Sequence, residues 1–402
     1  MPNRKRPRES VENPAIGMYS AEEFAVYMDM SAEDQRVIAQ AEADNLSLEV
    51  ASFVPLRFEL LGKTMTVHDK RRVLKEIDAI SMVSPEQGAK RRELVLTLLS
   101  IPFGIFRNPF SHADVFVVME RLAADLNVAV IGHSEAKRHI MRVVAQWISG
   151  PKTSGFVMGL HGPIGVGKTT LVEKGIARAL QIPYSLLALG GVGDASYLHG
   201  HSYTYEGSTY GRIAGALMGA QCMNPLIFFD EVDKVSESSK GDEIINCLIH
   251  LTDTSQNHKF HDRYLGNYDL DMSRAVLIFS FNDRERVSPT LLDRMTVVET
   301  PGYSQSERKA ILKEHMVPVA TTMFNTEEAT AIALTVPAFV DCIVQACPPE
   351  PGVRGLKRML HDICAEANLL ELTGAPVDVM SLVSKVAPKR PSLDTSLHMM
   401  YT

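Results

Sequence analysis

The sequence lacks any uninterrupted apolar stretch of about 18 residues, the least that would cross a membrane as a helix. No membrane span is therefore expected. Hydrophobic residues at 45%, charged residues at 22% and a mean hydropathy of −0.02 exclude wholesale disorder and predict a soluble globular protein. Cysteine is scarce: Cys222, Cys247, Cys342, Cys347 and Cys364 form an odd set without a C-x-x-C pair. That excludes a disulfide framework and a zinc site, and it fits a reducing, cytoplasmic compartment. The 13 histidines show no H-E-x-x-H or comparable spacing, so no transition metal is expected. Positive charge is not in excess either. A formal net charge of −7 excludes a broadly basic nucleic-acid coat and leaves only a local patch for such a role. The basic run Arg4, Lys5, Arg6 and Arg8, set around two prolines, cannot form a stable helix and lacks the apolar segment of a secretory signal. It reads as a disordered tail, with nuclear import as its alternative use.

What is present is more specific. With 402 residues the chain can form two or three domains, each with its own core. The stretch Gly162-Pro163-Ile164-Gly165-Val166-Gly167-Lys168-Thr169 spells a complete phosphate-binding loop, and the residues from Gly155 to His161 read as the short apolar strand that such a loop follows. Glycines let the backbone wrap a polyphosphate with its N–H groups pointing inward, Lys168 reaches the outer phosphates, and Thr169, followed by Thr170, offers a hydroxyl to Mg²⁺ at the positive end of a helix. ATP and Mg²⁺ are the expected cofactors.

Around this loop the periodicity divides the chain. Residues 1–50 read as basic tail and linker and 51–125 as a helical neck, in which Val73, Leu74, Ile77 and Ile80, then Leu94, Val95, Leu98 and Leu99, recur at helical spacing. Residues 126–301 read as an α/β domain. Its apolar runs Phe156–Leu160, Ser185–Leu189, Leu226–Asp230, Ala275–Phe281 and Val297–Glu299 suit five strands buried on both faces of a parallel sheet. Residues 302–372 read as a small helical domain, and 373–402 as a tail of little periodicity.

Four polar residues punctuate the strand ends. Asp230 closes an apolar strand about sixty residues after the phosphate loop, where it would hold the metal, and Glu231 beside it would orient and activate water. Asn282 ends the next strand, where its amide could bond the attacking water or the γ-phosphate, although an Asn there also suits a plain turn. Arg294, in Leu291-Leu292-Asp293-Arg294-Met295, could reach a neighbouring subunit's γ-phosphate as an arginine finger; a salt bridge to Asp293 or a nearby acid is the structural alternative.

The ordered set Gly162–Thr169, Leu189-Gly190-Gly191-Val192, Gly200-His201, Asp230-Glu231-Val232-Asp233-Lys234, Gln256-Asn257-His258, Leu291–Met295, Pro301-Gly302-Tyr303 and Gly352-Val353-Arg354-Gly355-Leu356 resembles the AAA+ ATPase module of Lon proteases, over about Val54 to Leu372. The resemblance implies a P-loop NTPase domain with a helical lid, and it implies a homo-oligomeric ring, usually a hexamer, that acts on unfolded or client polypeptides. It makes Arg354 a second sensor arginine for the γ-phosphate. Ile131, Gly132 and His133 would line the adenine pocket, helped by Tyr303 and Ile311, two residues that core packing explains equally well. Two departures stand out. The substrate-gripping loop carries Tyr205-Glu206, an aromatic followed by a carboxylate instead of an aliphatic residue, and the second pore loop, Ser236 to Lys240 before Gly241-Asp242, has no aromatic. Only about thirty residues follow Leu372, too few for the family's serine–lysine peptidase domain, so no intrinsic proteolysis is expected; Ser381 and Lys385 read as coincidence. The expected activity is an ATP-dependent protein unfoldase or remodeller. Its alternatives are the ATPase subunit of a two-chain protease and a nucleotide-switched DNA-associated factor.

Overall fold

The computed structural model describes residues 21–31, 33–40, 55–107, 115–149, 155–205, 207–235, 239–324 and 327–386. The chain divides into two compact units, residues 1–62 and 63–402. In the first unit, helices Ala21–Asp29 and 33–40 are clasped by a reciprocal pair of bonds, Tyr27 Oη to Gln35 O at 3.3 Å and Gln35 Nε2 to Tyr27 O at 2.7 Å. These helices occupy part of the stretch expected to be tail and linker; the short polar segment between them hid their periodicity. The basic residues Arg4 to Arg8 lie outside the described residues.

The second unit opens with two helices of the expected neck. Thr66 caps Val67–Ala79 by accepting from Asp69 N, and Pro85 starts Pro85–Ser100, where its missing N–H costs no hydrogen bond. The neck is bonded to the α/β body. Arg72 donates to Asn267 O at 2.8 Å and lies over the Tyr268 ring, while the Asn224 amide exchanges two bonds with the Arg107 backbone.

The body is built on β1 (Val157–His161), β2 (Tyr184–Ala188) and β3 (Leu226–Asp230), then a small antiparallel hairpin of β4 (Phe260–His261) and β5 (Asp269–Leu270), then β6 (Val276–Phe281) and β7 (Thr296–Glu299). Five of these strands form one sheet in the order β2-β3-β6-β1-β7, parallel throughout. Register follows from apolar faces: Met158, Phe228 and Ile278 share a row and pack against Leu122, Leu126, Ile140 and Val144 of helices Val115–Ala129 and Ser134–Ser149. On the other face Phe229 and Phe279 stack, with ring centroids 4.9 Å apart. Burial on both faces leaves the carboxyl ends of β1, β3 and β6 as the place where polar residues can act.

Beyond β7 a capping box joins Ser304 and Glu307 at the start of helix Gln305–Ile311. A separate core of Leu312, Phe339, Ile343, Leu356, Leu360 and Ile363 holds the following helices together. The stretch expected to be a C-terminal tail contributes helix Val379–Val386, whose Val379, Leu382 and Val383 join that core. Eight residues give too short a window for a periodic signal. The remaining residues, 387–402, lie outside the described ones.

Candidate nucleotide site

The phosphate loop leaves β1 and enters the helix that begins at Lys168. It turns through left-handed backbone at Gly165 (φ 81°) and Gly167 (φ 85°), a conformation that strains any side chain but glycine's. Lys168 is 9% exposed, and its ammonium donates to Gly162 O (2.6 Å), Pro163 O (3.0 Å) and Asn282 Oδ1 (2.7 Å). The fold thus brings together the lysine of the loop and the amide that ends β6. Burial lowers the Lys168 pKa to about 8, against the pull of Asp230, Asp233 and Glu231. Thr169 and Thr170 follow, both half-buried.

At the end of β3, Ser280 Oγ donates to Asp230 Oδ1 and accepts from Glu231 N at 3.1 Å. One hydroxyl therefore orients the carboxylate expected to hold a metal and the backbone of the expected base. Among the described residues the second Asp230 oxygen has no hydrogen-bond partner. That oxygen and the Thr169 hydroxyl are hard donors, the kind that suits Mg²⁺. Glu231 adopts left-handed backbone, φ 59° and ψ 46°, which turns the chain sharply out of the sheet. Its carboxylate is bonded by Lys234 Nζ at 2.5 Å and lies against Gly190, where an added Cβ would stand 2.3 Å from Glu231 Oε2. The glycine pair in the Leu189–Val192 string thereby gains a physical reason.

Asp233 ties the two strand ends together. It is 5% exposed, and its Oδ2 accepts from the backbone N–H of Asn282 (3.1 Å) and of Asp283 (3.0 Å). Ser280, Asp233 and Lys234 were absent from the sequence-derived site. Ser280 had one visible signal, a hydroxyl within a strand that is otherwise apolar; Asp233 and Lys234 stood in the acidic string without a role.

On the other side of the loop, the Val166 carbonyl takes the Tyr303 hydroxyl at 2.7 Å and His133 Nε2 at 3.0 Å, with the two rings 4.7 Å apart. Burial lowers the His133 pKa and so favours neutral imidazole, which donates this bond when its proton sits on Nε2. Gly132 precedes it at φ 75°, Ile131 is half-buried, and Ile311 is buried on helix Gln305–Ile311. His133 and Tyr303 thus meet at the loop, whereas no polar contact ties Ile311 to it.

The small domain touches the loop through main-chain atoms, Val353 N donating to Gly165 O at 3.1 Å; within that domain Tyr303 N donates to Pro351 O at 2.8 Å. Arg354, the first residue of helix Arg354–Leu372, has its backbone beside Gly165, and its exposed side chain bonds no described residue. Arg294 is engaged differently. It bonds Asp253 Oδ2 at 2.9 Å, so its intrachain partner is a distant acid and not the adjacent Asp293. The Ser255 hydroxyl and N–H, then Arg294 itself, hold the Asp253 carboxyl below its ordinary pKa.

Tyr205 is 68% exposed, well apart in sequence from the phosphate residues; Glu206 lies outside the described residues, as do Ser236 to Ser238 of the second pore loop. Ser381 and Lys385 stand one turn apart on helix Val379–Val386, where the Ser381 hydroxyl donates to Asp378 O and not to the lysine.

Residues 158–303 match the family described as ATPase family associated with various cellular activities (AAA). Among curated proteins the chain is similar to a Lon protease homolog of Acanthamoeba polyphaga mimivirus, 39% identical over 253 residues that cover 62% of this chain and 24% of the relative. It is also similar to the Lon protease of Helicobacter pylori strain J99, at 32% over 329 residues (76% and 37% of the two chains), and to that of Clostridium acetobutylicum, at 30% over 356 residues (89% and 43%). The chain spans less than half the length of each of these relatives.

Proposed function

Since the chain carries an AAA ATPase module of the Lon type, we propose that it is a Mg²⁺-dependent ATPase that moves polypeptide, working as a homo-oligomeric ring, with a hexamer the expected form. The observation that carries this reading is the convergence on one loop of Lys168, Asn282, His133, Tyr303 and the Val353 N–H from the small domain.

Thr169 and Asp230 would hold Mg²⁺, which would supply positive charge to offset that of the phosphates. Lys168 exchanges carbonyl acceptors for phosphate oxygens, and Asn282, released from the ammonium, turns its amide to the γ-phosphate or the attacking water. Glu231 serves as base once Lys234 no longer occupies its carboxylate, because an ion-paired carboxylate is a poorer proton acceptor. Arg354 adds charge from the small domain, and its helix follows any change in the shape of the loop through the Val353 bond. Arg294 is positioned to leave Asp253 for a neighbour's phosphate, an exchange made easier because a partly exposed ion pair is weak. Tyr205 grips extended chains by apolar contact that does not depend on their sequence. A cytoplasmic site of action fits the five free cysteines. Among the described residues no helix is long and apolar enough to cross a membrane.

The test is ATPase rate and particle size of the purified chain with and without an unfolded casein-like protein. Assembly in ATP and a faster rate with casein are expected; Glu231→Gln should bind ATP without cleaving it, and Tyr205→Ala should lose the casein effect. Hydrolysis indifferent both to casein and to Tyr205 would remove the translocation reading.

A further inference from the structure

The loop that carries Tyr203 and Tyr205 leaves the body at Gly200 and returns at Gly211. At this neck the two backbone segments run closer than side chains permit. A Cβ on Gly200 would stand 2.8 Å from Gly211 N, and one on Gly211 would stand 2.1 Å from Leu198 O. His201 N donates to Thr209 O at 3.2 Å and closes the neck from above.

Beneath the neck lies Asp262, with no exposed surface. Its Oδ2 accepts from Gly211 N at 2.8 Å, and its Oδ1 from Tyr264 N at 2.9 Å and Leu265 N at 3.4 Å. The next residue adds a backbone tie, Arg263 N to His199 O at 2.6 Å, on the other side of the neck. No cation bonds the carboxylate among the described residues. Burial raises its pKa to about 6, and the three N–H groups oppose that rise. A buried carboxylate satisfied only by backbone amides is costly to keep, and here those amides come from two segments, the returning side of the neck and the hairpin turn.

Asp262 directly follows β4 of the hairpin. That hairpin leads into β6, whose end presents Asn282 to Lys168. The tie at Asp262 therefore joins the segment leading to the phosphate-sensing strand to the base of the Tyr205 loop. We infer that Asp262 is a positioning residue for Tyr205: it clamps the neck to the hairpin, so that displacement of the hairpin moves the loop as a unit instead of bending its base. This rests on the translocation reading above and adds to it the element that transmits force.

Three measurements test the clamp. In the assembled wild-type chain with ATP, the Gly211, Tyr264 and Leu265 amides should exchange hydrogen at least ~10-fold more slowly than amides of the loop tip at 203–205, since all three are bonded to a buried acceptor; equal rates overturn the inference. In Asp262→Asn, which keeps the shape but replaces one acceptor with an NH₂ group, nucleotide affinity should stay within about twofold, while the ratio of casein-stimulated to basal hydrolysis falls to that of Tyr205→Ala. A parental ratio in Asp262→Asn, with the ratio lost in Tyr205→Ala, overturns the clamp and leaves translocation standing. If Tyr205→Ala itself keeps the parental ratio, the translocation reading falls and takes the clamp with it. Should Asp262→Asn not fold, two glycines inserted between Tyr210 and Gly211 slacken the neck between the His201–Thr209 bond and the Gly211–Asp262 bond, with Asp262 intact. Loss of the ratio supports the clamp, and a parental ratio refutes it.

Discussion

The phosphate cleft and the Tyr205 loop are built on opposite plans. In and beside the cleft, charged side chains other than Arg354 already have protein partners: Lys168 has three acceptors, Asp230 has Ser280, Glu231 has Lys234, and Arg294 has Asp253. The loop displays a 68% exposed tyrosine and is held to the body at its neck. Binding in the cleft is thus an exchange of one partner for another, which allows small net energies to redirect several groups. Gripping by the loop is an addition of contacts, and its strength depends on how firmly the base is held.

The sharpest way to break this contrast is at Arg294, whose present partner lies within the chain while its proposed one lies outside it. Arg294→Ala should lower turnover by about 10³- to 10⁵-fold, as expected for a residue that neutralises charge in the transition state, with ATP binding kept. Mixing Arg294→Ala with Glu231→Gln chains should recover part of the rate, because some interfaces then pair an intact arginine with an intact base. No recovery in steady-state ATPase assays would place Arg294 in its own chain's fold.

A smaller effect is expected at Ser280. Removing its hydroxyl frees the Asp230 carboxylate and the Glu231 N–H together, and loss of an outer partner of a metal ligand typically costs ~10- to 100-fold in metal affinity or activity. Magnesium titration of the ATPase rate of Ser280→Ala should show a raised half-saturation point; a parental titration curve would show that Asp230 needs no such support.

The smallest effect is on pH dependence. Burial lowers the Lys168 pKa from 10.5 to about 8. Bound phosphates favour the charged ammonium and raise that pKa, so above pH 8 binding takes up a proton and affinity falls as pH rises. The decline should approach about tenfold per pH unit, the limit for uptake of one proton. Calorimetry in two buffers of different ionisation enthalpy reads the proton directly. Lys168→Met should bind more weakly at every pH and lose this slope, and a slope that persists would assign the proton to another group.

The contrast also separates what the sequence reveals from what it hides. Lys168, Asp230, Glu231 and Asn282 stand out in the sequence because they lie at fixed offsets from a glycine-rich turn or at the end of an apolar run, and the fold places them at the carboxyl ends of β1, β3 and β6. The five sheet strands were legible for the same reason, with ends displaced by a residue, as in Tyr184–Ala188 where 185–189 was expected. Their supporting residues are not legible. Ser280 meets Asp230 across 50 residues, Asp262 meets Gly211 across 51, and no local pattern encodes such encounters. Arg294 shows the same limit from the other direction: the sequence offered Asp293 or a nearby acid as its partner, and only the fold singles out Asp253, 41 residues away. The short helices Ala21–Asp29 and Val379–Val386 escaped because eight or nine residues hold too few turns for periodicity to stand out from tail-like surroundings.

The bond from Val353 to the Gly165 carbonyl has a further implication. Since neither end uses a side chain, the lid reads the curvature of the glycine turn and not the identity of any residue in it. Evolution can therefore vary the lid's surface widely while the fit to the turn persists. Proline at 353, which removes the amide, would make the lid insensitive to the turn's shape, and a side chain at Gly352, whose Cβ would stand 2.3 Å from Ile164 O, would push the lid off it.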